Sequence, residues 1–102
     1  PDEVDIAVAM DRFLRVVDLD VQSISHRWAG LRTFAPDKTF VVGFDPQAKG
    51  FFWLAGQGGY GVQSAPGVAQ LARHLLLQTP LPLGYERLQE SIEAVSPARL
   101  MT

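Results

Sequence analysis

Four glycines in six residues, Gly56-Gln57-Gly58-Gly59-Tyr60-Gly61, stand between an apolar β-rich run and a helical pattern. Phe51-Phe52-Trp53-Leu54-Ala55 precedes them. Beyond them Ala65, Val68/Ala69, Ala72 and Leu75/Leu76 recur at helical spacing. This order of strand, glycine loop and helix constrains the fold more than any other feature. Glycine lets a backbone approach a ligand closely, and a helix start turns free N–H groups toward negative charge. The spacing also fits G-x-G-x-x-G, the dinucleotide fingerprint. That fingerprint requires a second parallel strand after the helix, with an acid about 20 residues on. Here the helix runs into Thr79-Pro80-Leu81-Pro82-Leu83-Gly84, no β-rich run follows, and Glu86 sits in a helical pattern. The spacing alone therefore does not define a pyrophosphate site. Taken locally, the glycines read equally well as a turn that lets a strand meet a helix.

The remaining pattern predicts an α+β fold. Pro1 to about Asp20 reads as an amphipathic helix, with Pro1, Asp2, Glu3 and Asp5 suited to its positive end. Residues 23–34 read as a strand on which Ile24, Trp28 and Phe34 share parity. Ala35-Pro36-Asp37-Lys38 is a turn, Thr39 to Phe44 a second strand, Asp45 to Gly50 another turn, and Phe51 to Ala55 a third strand. Such short connections favour an antiparallel sheet. A long helix follows the glycines, with Pro66 fitting only in its first turn. Tyr85 to about Val95 reads as a short helix, and Pro97 onward as a tail. The expectation is an N-terminal helix, a three-stranded antiparallel sheet, the glycine loop, a long helix and a short C-terminal helix.

Composition narrows the function classes. A chain of 102 residues holds at most one domain. Its net charge of −2 gives no electrostatic reason to expect nucleic acid as a partner. There is no cysteine, so thiolate metal sites and disulfides are excluded. His26 and His74 lie too far apart in pattern to suggest a metal site. No apolar run reaches the roughly 18–20 residues of a membrane span. With no signal peptide in view, a cytoplasmic location is expected. The first residue is proline rather than methionine, which is expected of an excised or processed piece.

Three stretches together resemble a known family. They are Trp28-Ala29-Gly30-Leu31-Arg32-Thr33-Phe34-Ala35-Pro36-Asp37, Val42-Gly43-Phe44-Asp45-Pro46, and Phe52-Trp53-Leu54-Ala55 running on through the glycines to Pro66. They resemble the C-terminal part of FAD-dependent amino-acid oxidoreductases, the family of D-amino acid oxidase, glycine oxidase and sarcosine oxidase. The closing Ser96-Pro97-Ala98-Arg99-Leu100 resembles the way many members end. The resemblance covers most of residues 23–80 and leaves the substrate open.

The resemblance implies roles for two groups of residues. Arg32, in Gly30-Leu31-Arg32, takes the place of an arginine that binds the substrate carboxylate in many members. A guanidinium fork suits that task. Many members have proline after this arginine, where this chain has Thr33. Gly58, Gly59, Tyr60, Gly61, Val62 and Gln63 take the place of the loop that lies along the flavin ring, facing its N1–C2=O edge. Tyr60 reads equally as a pocket wall or as packing. No catalytic residue is assigned within the chain, and Ser64 has no base beside it.

By the same resemblance, residues 1–55 form part of a substrate-binding domain, and residues 56–102 return into the FAD domain. The family's N-terminal βαβ unit, which holds the ADP part of FAD, is not in this chain. The expectation is a fragment of a two-domain enzyme that oxidises an amino acid or secondary amine. Alone it would be inactive and would self-associate through apolar surface left by the missing half. The alternative is a stand-alone α+β binding or assembly module without catalytic activity.

Overall fold

The structure, a computed structural model, describes residues 1–101. The chain separates into two compact units, Pro1–Leu31 and Arg32–Thr102.

The first unit is built on α1, Glu3–Val16. Asp2 caps its start, its carboxylate accepting the Val4 N–H at 2.7 Å, and Glu3 and Asp5 occupy the first turn. The helix stops at Val17, whose backbone turns to the extended region. It is shorter than the expected span to Asp20, since Asp18 and Asp20 suit a helix C-terminus poorly. Arg27 forks onto Glu3 at 3.0 and 3.1 Å, tying the following segment back to the helix. No residue of α1 is buried, and Val4, Val8, Phe13, Leu14 and Val16 are all exposed.

The second unit carries the core. Two strands, β1 (Val41–Phe44) and β2 (Phe52–Ala55), pair antiparallel with Val42 opposite Leu54 and Phe44 opposite Phe52. Asp45 shapes the turn between them: its carboxylate accepts the N–H groups of Gln47 and Ala48 and, at 2.9 Å, the indole N–H of Trp53. The bond from Trp53, with the two backbone N–H groups behind it, lowers the pKa of Asp45. Helix α2, Gly61–Leu77, packs Val68 and Leu71 onto Val42 of β1. A 3-10 turn at Glu86–Ser91 leads directly into α3, Ile92–Val95, and Val95 completes the buried cluster. These two pieces are the short C-terminal helix of the sequence reading.

Three expectations need correction. The sheet among the described residues has two strands, and residues 17–34 form neither helix nor strand. The parity of Ile24, Trp28 and Phe34 is real, but a strand exists only through ladder bonds to a neighbour, and residues 23–34 have none here. Pro66 lies in the second turn of α2 rather than the first, because the helix starts as early as Gly61. The expected tail is a 3-10 helix, Pro97–Leu100, that docks on β1. Pro97 is fully buried there, and Gly43 makes room for it: a Cβ at Gly43 would stand 3.1 Å from the proline Cδ.

Candidate functional site

The link between β2 and α2 is where the sequence signals converge. Gly58 sits at φ +52°, a conformation that favours glycine. A Cβ there would stand 2.6 Å from Phe34 Cε1, so the ring of Phe34 occupies the space a side chain would need. The Gly58 N–H donates to the Thr33 carbonyl at 2.9 Å. One backbone bond and one ring thus lay the segment Arg32–Phe34 against the glycine loop. One residue further along, Arg32 Nη1 lies 3.4 Å from the place a Gly59 Cβ would take. The guanidinium therefore stands over Gly59.

The loop closes into the helix through Tyr60. Its N–H donates to the Gln57 carbonyl at 3.2 Å, and its own carbonyl accepts the Ser64 N–H at 3.0 Å. Tyr60 offers α2 no side-chain cap, and the first turn of the helix holds no acid. The N–H groups of Gly61, Val62 and Gln63 have no partner inside the helix by its geometry, and they carry the positive end of its dipole.

The structure brings Arg32, Gly58, Gly59, Tyr60 and Gly61 together. Arg32 is exposed and makes no ion pair among the described residues, where three other arginines do. The Tyr60 ring leans on Phe40, with centroids 6.4 Å apart, so one of its faces serves packing. Val62 projects into solvent. Gln63 borders a cavity of about 350 Å³ whose wall includes Phe40, Ser64 and Val68. His74 is occupied at the far end of α2, its Nδ1 lying 2.6 Å from the Thr79 carbonyl oxygen. His26 packs on Trp28 in the first unit, with ring centroids 5.3 Å apart.

Two features escaped the sequence reading. The first is Phe34 as the partner of Gly58, which strand parity assigned to the sheet instead. The second is a cluster around Arg99. Its guanidinium holds Asp37 with two bonds of 2.7 and 3.0 Å, and it also donates to the carbonyls of Thr39 and Ser96, both at 2.9 Å. The bond from Arg99, with the Thr39 N–H behind it, holds the Asp37 carboxyl at about 2, below its ordinary 3.8. An apolar cavity of about 180 Å³ lies between Thr33 and Phe34 on one side and Pro97 and Leu100 on the other.

An uncapped helix start beside an arginine with no counter-ion among the described residues defines a site that favours electron-rich, negatively charged groups. Residues 1–75 match the model of the family described as FAD dependent oxidoreductase. The match covers well over half of the chain, which therefore belongs to that family. FAD is accordingly the cofactor of the intact protein. The donors present suit one part of it. N–H groups at the start of α2 would suit the N1–C2=O edge of a flavin, where reduction puts negative charge. Among the described residues the sheet is two-stranded and antiparallel and provides no βαβ cradle for the ADP part.

Proposed function

We propose that this chain is the C-terminal part of an enzyme of the D-amino acid oxidase, glycine oxidase and sarcosine oxidase type, acting on an amino acid or secondary amine. Arg32 binds the substrate carboxylate, and Gly58 to Gln63 line the flavin edge. A flavin, when bound, supplies the hydride acceptor at its N5. The chain's own contribution is position and charge. Arg32 holds the carboxylate by two parallel bonds and so orients the α-carbon for reaction. The helix start places fixed donors where negative charge develops and needs no reorganisation to do so. The observation that carries this reading is the Arg32 guanidinium over Gly59, free of any carboxylate among the described residues. The ADP part of FAD is assigned to polypeptide outside the described residues, so the 102-residue chain alone should bind FAD weakly and turn over nothing.

Replacing Arg32 by Ala in the intact flavoprotein tests the carboxylate role. Loss of two charge-assisted bonds, about 3 kcal/mol together, should raise KM roughly a hundredfold for glycine, sarcosine or a D-amino acid. A smaller loss is expected for an amine that lacks the carboxylate. An equal loss for both, or an unchanged KM, removes Arg32 from this role.

A further inference from the structure

We infer that Arg99 is a positioning residue for Arg32: it clamps the Ala35–Lys38 turn and thereby holds the Arg32–Phe34 segment against the glycine loop. The clamp starts on the strand. Pro97 is buried against Gly43 of β1, which fixes the 3-10 helix carrying Arg99. The Arg99 side chain is only 17% exposed, and its carbonyl partners come from two places in the chain: Ser96, which caps its own helix, and Thr39 at the approach to β1. The remaining donors fork onto Asp37. Asp37 in turn accepts the Thr39 N–H at 3.0 Å, and Lys38 closes the turn by donating to the Ala35 carbonyl at 2.9 Å. The next residues back along the chain are Phe34, whose ring fills the space beside Gly58, and Thr33, whose carbonyl accepts the Gly58 N–H. Arg32 follows directly.

Without the clamp, the only backbone hydrogen bond joining Thr33 and Phe34 to the glycine loop, among those described, is the one from Gly58 to Thr33. A guanidinium is required because four donations in one plane reach two carbonyls and a carboxylate together; a lysine ammonium has three donors and no fork. Arg99 does not touch the proposed substrate. It acts through the turn, and its effect on catalysis rests on the carboxylate role proposed above for Arg32.

The test uses the FAD-loaded intact enzyme with Arg99→Lys and Asp37→Asn. Asp37→Asn keeps the volume and removes the charge, so it carries the decision if Arg99→Lys fails to fold. Amide hydrogen exchange at Gly58 should speed up roughly tenfold in each variant while the amides of β1 and β2 keep their protection. KM should rise severalfold with kcat largely retained. Unchanged Gly58 exchange in the folded Asp37→Asn enzyme overturns the inference. Uniformly faster exchange through β1 and β2 also overturns it, because the pair would then hold the fold rather than the loop. Faster exchange at Gly58 with unchanged KM upholds the clamp and instead removes the carboxylate role of Arg32.

Discussion

The charges of Arg32 and Arg99 are chemically alike and structurally opposite. Arg99 is spent entirely within the protein, with Asp37, Thr39 and Ser96 accepting its donors. Arg32 stands over Gly59 with its donors turned to no carboxylate among the described residues. The pairing of Asp37 has a pH signature. Its carboxyl titrates at about 2 in the folded state against 3.8 ordinarily, so it binds a proton less readily folded than unfolded. Its contribution to stability is complete above pH 3.8 and disappears as pH falls toward 2. Denaturation midpoints of the intact protein and of Asp37→Asn should differ at pH 6 and converge as pH drops through that window. Parallel curves would show that the pair adds nothing. The effect should be modest, because Asp37 is partly open to solvent. Of these residues only Arg32 drew a functional reading from the sequence, and only through its family-like setting. Asp37 read as a turn residue, which it also is. Arg99 read as part of a familiar ending, and nothing in linear sequence reports a contact across 62 positions.

Among the elements, those set by local pattern were readable and those set by distant partners were not. Asp2 and the acids beside it marked the start of α1, and apolar spacing marked α2. The hairpin followed from two β-rich runs about a turn that Asp45 organises. Residues 23–34 carried equally good strand parity, yet pairing depends on a neighbour and not on parity. The glycine loop was visible as a loop, but nothing local showed that the missing side chain of Gly58 makes room for Phe34. That pairing makes Gly58→Ala a sharp probe. The methyl group meets the ring at 2.6 Å in a left-handed backbone, and the two effects together should cost about 2–4 kcal/mol. Adding Phe34→Leu should restore the steric share and leave the backbone share, as read from denaturant midpoints of the intact protein. No recovery in the double variant would mean that the ring is not what Gly58 accommodates.

At the scale of the molecule, the distribution of apolar surface is uneven. The buried cluster is small, Val42, Val68, Leu71 and Val95, and all of it lies in the second unit. In the first unit Val4, Val16, Leu19 and Trp28 are all well exposed. Exposed apolar surface of this kind favours association with other polypeptide. The isolated 102-residue chain at roughly 50 µM should therefore run in light scattering above its 11.2 kDa monomer mass. A monodisperse monomer across the concentration range would show that the apolar positions are tolerated in water. The Asp37–Arg99 pair carries a different consequence, one of timing. A ribosome delivers Asp37 well before Arg99, 62 residues later, an interval of about 3–12 s at ordinary elongation rates. Until then the Ala35–Lys38 turn can be made but not clamped, so the Arg32 side of the proposed flavin site matures last in its unit.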